Sequence, residues 1–447
     1  MLLSLLFACD VAPDSSEGPG VPAASDCVVE DGLVGDLKVV VTAMPTVLRA
    51  TWTLDGSQQG SLRFVDSTGR WALNAPGEGL MVGLLPSREV SYQVVHEAEG
   101  ERRCTPVFTA ETGELDVPSL EVQGALSPGY TVTPIVGITS TAVILDSQGQ
   151  VVWALEIDAP AETPMIRARL GLDRASVLYH TRSSAPDEGE VVRVGLDGEV
   201  ISRFPVPGIE VDFDELEDGR VAALDTEMRK YSDGQVLRGD RLVIADGTDV
   251  TVLWQVLDAL GPDLSYEVVT PSGQMAFEDF AHSNGLDYDG SGYLVTLGDL
   301  DGVARVGLDG STEWVLGSPY STLATPEGSM VLPHSAVPVP GGVLVFNRGS
   351  DTNEPTSCAN ATEFTLNEAA GTAEVAWTES SDSCLVIAFL GNAQRLPGGE
   401  TLMDYASGGR LQQVAVDGST MFEANLTAGN IFGVATHVGE LAAPIGD

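Results

Sequence analysis

Two of the five histidines in this chain share a local setting: His282 opens the string His-Ser-Asn and His334 opens His-Ser-Ala. A neutral imidazole can attack an electrophile, and a protonated one can grip an anion. His334 lies six residues before Pro340-Gly-Gly. The same offset before Glu217-Asp-Gly and Pro397-Gly-Gly gives Val211 and Gly391, and His282 is placed in the same column one repeat earlier. Rings at matching positions of neighbouring repeats would face one cleft. The other reading is structural, with each ring bonded to a neighbouring loop, and periodicity does not separate the two. Two arginines stand near enough in sequence to serve as cations. Arg348 ends the strand after His334, and Arg182 occupies a similar strand end after His180. Each is either an anion donor or a solvated rim residue. Other chemistries lack their motifs: there is no G-x-S-x-G, no H-E-x-x-H, no phosphate loop ending in Lys, and no C-x-x-C. No metal site is expected. Asp287-Tyr-Asp289-Gly-Ser291-Gly resembles the start of a calcium loop, but its twelfth position is Gly298, so an acidic turn is the expected reading. A structural calcium in the funnel stays open.

The elements that must position these residues are strands. From about residue 124 a strand-turn-strand unit recurs six times, at Ala142–Trp153, Val192–Val200, Leu242–Trp254, Ala304–Trp314, Phe364–Trp377 and Leu411–Phe422. Two copies share the string Arg-Val-Gly-Leu-Asp-Gly, starting at Arg193 and Arg305. Before most units lies another apolar strand after a Gly-containing turn. Repeats of about 48 to 63 residues that each supply four strands predict propeller blades. Residues 27–123 read instead as short alternating strands with Asp55-Gly56 and Thr68-Gly69 turns. A Trp on the second strand and a later Ser-Tyr-x-Val predict a fibronectin-III or immunoglobulin-like sandwich. The expected fold is thus all-β: a six-bladed β-propeller over 124–447, preceded by a β-sandwich.

Composition narrows the partners. The formal net charge of −43 repels phosphate backbones, so nucleic acid is excluded. Lysine occurs only at Lys38 and Lys230, so a cationic site would use arginine. Residues 1–9 form a short apolar run ending in Leu6-Phe7-Ala8-Cys9, which resembles a bacterial lipobox with Cys9 as the lipidated residue. Residues 10–26, rich in Pro, Gly, Ser and acid, then read as a flexible tether. The expected address is the cell envelope, on the periplasmic face or the cell surface, with the lipid as the only membrane contact. Setting Cys9 aside leaves two sequence-local pairs, Cys27 with Cys104 and Cys358 with Cys384. Both are expected as disulfides of an oxidising compartment.

On the strings Phe277-Glu-Asp-Phe-Ala-His282-Ser-Asn-Gly-Leu-Asp-Tyr, Leu332-Pro-His334-Ser-Ala-Val-Pro-Val-Pro-Gly-Gly and Gly391-Asn-Ala-Gln-Arg-Leu-Pro-Gly-Gly, the chain resembles the arylsulfotransferase family over about 125–435. The resemblance implies transfer of a sulfuryl group from a phenolic sulfate ester to a phenol, without a nucleotide cofactor. It implies His334 as nucleophile, and His282 and Asn284 of the His-x-Asn motif as binders of the sulfuryl oxygens. Two family residues are absent. A His-His-Asp motif falls on Glu210-Val211-Asp212, and an arginine falls at Leu297 or Gly298. Each lost donor would cost about 10²–10³ in rate, which implies a weak enzyme, a changed substrate or replacement cations, with Arg348 the first candidate and Arg182 the second. The alternative is a non-catalytic propeller lipoprotein that binds a ligand or another envelope protein.

Overall fold

In the computed structural model, residues 27–54, 60–64, 71–98, 101–157, 163–182, 188–270, 276–349, 358–380 and 384–441 are described. The expected lipobox at Cys9 and the tether fall outside them. The described chain is all-β and divides into eight sheets. No helix in it is long and apolar enough to cross a membrane.

Two sheets come from the N-terminal part. One orders Gly35–Val41, Leu48–Thr53, Glu78–Val82 and Trp71–Ala75. The other is built on Glu89–Ala98, flanked by Gly60–Phe64, Glu101–Cys104 and Phe108–Glu111. Leu48, Ala50 and Trp52 alternate inward along one strand and meet Leu62, Phe64, Met81, Tyr92 and Val94 in a shared core. The Cys27–Cys104 disulfide ties the start of this region to its penultimate strand. Thr46 Oγ1 donates to the Val152 carbonyl at 2.7 Å, which joins the region to the rest of the chain.

The other six sheets follow one another in sequence, and each contains one of the six hairpins read from the repeats. Their first strands are joined side by side by polar side chains and, at one seam, by a backbone hydrogen bond. Gln394 Nε2 donates to the His437 carbonyl at 2.9 Å, and Val434 N–H donates to the Ile166 carbonyl at 2.9 Å. Arg167 pairs with Asp212 at 2.9 Å, and Asp212 accepts from Leu286 N–H at 2.9 Å. Asn284 Nδ2 donates to the Pro333 carbonyl at 3.2 Å, and Ser335 Oγ donates to Asn392 Oδ1 at 2.6 Å. This series returns to its starting sheet, so the first strands close a ring. Chain ends complete it. Thr436–Val438 pairs with Tyr130–Val136, and Leu120–Gly124 pairs with Thr420–Leu426. The ring therefore takes in residue 120 as its outermost closing strand, a few residues before the start expected from the repeats. The repeats gave no signal there because a closing strand has no hairpin of its own. The second disulfide also forms, between Cys358 and Cys384.

Candidate functional site: the histidine mouth of the ring

His334 opens the strand Pro333–Val339. The pairing runs Pro333 with Asn347 and then Ser335 with Phe346, so His334 is the extra residue of a bulge. Bulges re-aim a side chain out of the regular alternation. The ring is buried, with Nδ1 3.1 Å from the Gly391 carbonyl. A carbonyl only accepts, so Nδ1 carries the proton and Nε2 keeps its lone pair. Nε2 has no hydrogen-bond partner among the described residues. Burial, with the charges of Arg348 and His282, pushes the imidazole down to about 3. His334 is therefore a neutral, correctly tautomerised nitrogen base at any ordinary pH.

His282 differs. The hairpin registers pair Ser283 with Leu297 and Gly285 with Thr296, so the bulged residue level with His334 is Asn284. His282 stands two positions earlier, level with Leu332, and both take left-handed backbone angles, φ 48° and 46°. The expected shared column is corrected accordingly: the repeated His-Ser pair hides a two-residue offset. The two rings nonetheless feel one another, since the His282 charge contributes to the depression of His334. His282 is half-exposed, and its Nδ1 lies 3.0 Å from Asp279 Oδ2. That hydrogen bond raises its pKa above the ordinary histidine value. Asn284 is buried, and its Nδ2 is committed to the Pro333 carbonyl.

Arg348 also reaches the mouth. It donates to the Leu332 carbonyl through Nε at 3.3 Å and to the Ala388 carbonyl through a terminal nitrogen at 2.8 Å. Arg182, at the matching strand end of another sheet, donates to the Glu210 carbonyl at 2.6 Å. Val211, where the resemblance implies a histidine, and Gly298, one of the two places for its arginine, both stand in close surroundings. Val211 lies in an apolar cluster with Ile166, Leu390 and Val434. A Cβ added at Gly298 would stand 2.5 Å from Asn284 Nδ2, so a side chain there would displace the asparagine.

Several residues of this mouth were not singled out by the sequence reading. The hairpin Val221–Tyr231 with Val236–Asp246 overshoots its neighbours and overhangs the mouth. It carries Arg238, whose guanidinium pairs with Asp279 and lies 3.3 Å from Glu210. The available signal was the alternation of Asp225, Glu227, Arg229 and Arg238, Asp240 along a run that otherwise reads as one strand pair.

Beneath the histidines the axis holds Arg167, Arg169, Asp212, Asp214 and Asp287 around a cavity of about 360 Å³. Arg169 pairs with Asp214 at 2.7 Å, while Asp287 has no hydrogen bond among the described residues. Burial and the neighbouring Asp214 hold Asp287 well above the ordinary carboxyl range. Burial likewise pushes Asp404 up to about 7. A carboxyl with a raised folded-state pKa contributes stability below its unfolded value and loses it as pH rises through the folded value. Two buried histidines, His180 and His334, are both pushed down to about 3, so their contribution is complete above about 6.5. Between pH 6.5 and 8.5 the raised carboxyls and His282, whose pKa is also raised, both lose stability, and the melting temperature is expected to fall across that window. Asp287→Asn should flatten the fall and raise stability at the alkaline end. A melting temperature that rises over the window would contradict this assignment.

The Asp289 turn is held by its own side chain. Asp289 Oδ1 accepts from Ser291 N–H at 2.8 Å, and its carboxylate pairs with Arg305 at 2.7 Å.

The family model described as Arylsulfotransferase (ASST) matches residues 130–420. No curated protein matches the chain. Among solved structures, a protein of unknown function from Bacteroides caccae is 12% identical, with 70% of this chain and 100% of that one covered and a TM-score of 0.41. A periplasmic gluconolactonase from Pseudomonas aeruginosa is 13% identical, with 78% and 94% covered and a TM-score of 0.37. At these scores neither carries an argument about this chain.

Proposed function

This chain belongs to the arylsulfotransferase family, and on that premise we propose that it moves a sulfuryl group from a phenolic sulfate ester to a phenol through His334. The observation that carries the proposal is the Nδ1–Gly391 hydrogen bond at 3.1 Å in a ring kept neutral. In the first half-reaction the Nε2 lone pair attacks sulfur, the sulfur–oxygen bond to the aryl group breaks, and a phenolate leaves with the electron pair. The resulting N-sulfo imidazole holds one SO₃ unit. In the second half-reaction an acceptor phenol oxygen attacks that sulfur, its proton passes to solvent, and the Nε2 lone pair is restored. The three sulfuryl oxygens need donors that are in place beforehand. His282, whose cationic form the Asp279 hydrogen bond favours, and Arg348 supply them, with Arg182 further out and Asn284 holding the adjoining strand. Ile166, Val211 and Leu390, buried beside Glu210 and Gly391, back the site with an apolar wall.

The scaffold reading follows the same line. The closed ring supports a six-bladed β-propeller, and the two N-terminal sheets with one core support a preceding sandwich of the fibronectin-III or immunoglobulin-like kind. We place the protein outside the cytoplasm, consistent with two disulfides, and tethered through lipidated Cys9. No nucleotide cofactor is required.

The test is transfer from a chromogenic aryl sulfate to a phenol acceptor by the folded protein. Acceptor-dependent release of the phenolate supports the reading. Silence across a broad donor panel would leave the second reading, a ligand-binding ring without turnover, which the absence of the two family donors at Val211 and at Leu297 or Gly298 favours.

A further inference from the structure

We infer that Glu210 is a built-in counter-anion of the mouth: its carboxylate holds the place of an oxyanion between Arg182 and Arg238 and so sets the affinity and selectivity for anionic ligands. The backbone fixes Glu210 first. Its N–H donates to the Leu224 carbonyl at 3.1 Å, and its own carbonyl accepts from Arg182 at 2.6 Å. Its side chain then turns between two guanidinium groups, 3.7 Å from Arg182 and 3.3 Å from Arg238. Arg238 passes on to Asp279, and Asp279 to His282. The carboxylate is therefore linked through three ion pairs to the histidine proposed to hold sulfuryl oxygens. A carboxylate held by two guanidinium groups carries the same single charge as a sulfate ester and offers two acceptor oxygens where the ester offers three.

The consequence is a cradle already filled by a tethered anion. Glu210 is part-exposed, at 32%, as are the two arginines at 22%, so displacement by a ligand is geometrically open. A small inorganic anion brings only charge to that exchange and gains little. An aryl sulfate also brings a ring, whose withdrawal from water adds to its binding. Glu210 thus favours aryl esters over inorganic sulfate. The ligand class rests on the proposed sulfuryl transfer; the counter-anion role does not.

The test is calorimetric binding of two unreactive probes, a naphthalenesulfonate and inorganic sulfate, to the wild type and to Glu210→Gln and Glu210→Asp. Glu210→Gln keeps shape and removes charge, and it should bind both probes roughly three- to tenfold more tightly, with the larger gain for inorganic sulfate. Glu210→Asp keeps the charge and should stay near the wild type, which separates electrostatics from any loss of packing. Unchanged or weaker binding in Glu210→Gln, with an unchanged melting temperature, overturns the inference. If transfer activity is present while the probes bind both forms equally, only the counter-anion role falls. If neither probe binds any form and no transfer occurs, the anion site itself falls with it.

Discussion

Replacing His334 with alanine is expected to lower sulfuryl transfer by a factor on the order of 10³ or more while leaving the fold in place. The size follows from its role. Removing an oxyanion donor weakens a transition state, whereas removing the nucleophile deletes the covalent route, leaving only what binding and the remaining donors supply. The pH profile should carry the same signature. His334 is held down to about 3, so no acid limb from its protonation is expected above pH 5 or so. The alkaline limb belongs to His282, whose raised pKa means its charge is lost as pH rises through the shifted value. Asp279→Asn, by removing the hydrogen bond at 3.0 Å, should move that limb to lower pH. A profile with an acid limb near the ordinary histidine value would mean that the working imidazole is solvated and is some ring other than His334.

The largest effect on stability is expected on the axis, at Asp212. This carboxylate joins three sheets: it pairs with Arg167, accepts from Leu286 N–H at 2.9 Å, and lies 3.7 Å from Arg169. Arg167 is 2% exposed, so Asp212→Ala would leave a buried guanidinium without its nearest anion. Breaking a buried pair from one side costs about 3–5 kcal/mol, far more than losing a surface pair. Chemical denaturation should show the midpoint falling accordingly. Arg167→Met combined with Asp212→Leu should recover much of the loss, because removing both charges also removes their desolvation cost. If Asp212→Ala unfolds at the wild-type midpoint, the first strands are held by something other than their polar stitching. The contrast with Glu210 is instructive: a carboxylate–guanidinium pair at the part-exposed mouth is open to ligand exchange, whereas one buried on the axis serves cohesion.

The hairpins were legible because Asp-Gly turns such as Asp197-Gly198 and Asp309-Gly310 punctuate alternating strands, and outer strands need little else. The first strands were harder. Ala168–Leu170 and Phe213–Glu215 are three residues long, and their axis-facing positions carry Arg and Asp, which erase the apolar alternation. The closing strands at Leu120–Gly124 and Thr436–Val438 pair with partners some three hundred residues away in sequence, a relation no local pattern encodes. At the mouth, His334 could be placed by its distance from the next turn, since the bulge adds one residue without changing that count. His282 could not, because the repeated His-Ser pair suggested an equivalence that the strand register denies. Arg238 and Glu210 were hidden for a different reason. They meet across an overhanging hairpin and a loop, and although Arg238 alternates with charged neighbours along its strand, nothing local says that its partner is Glu210.

The central claim is that the sulfuryl group rests on one named nitrogen. Mixing the protein with an aryl sulfate donor in the absence of acceptor, quenching in alkali and mapping by mass spectrometry tests it directly. Cleavage at arginine separates the two histidines, because Arg305 lies between His282 and His334 and Arg348 follows. One added SO₃ on the segment from Val306 to Arg348, absent in His334→Ala, is the predicted result. The same mass on the segment that contains His282, or on neither segment while acceptor-dependent transfer proceeds, would contradict the account.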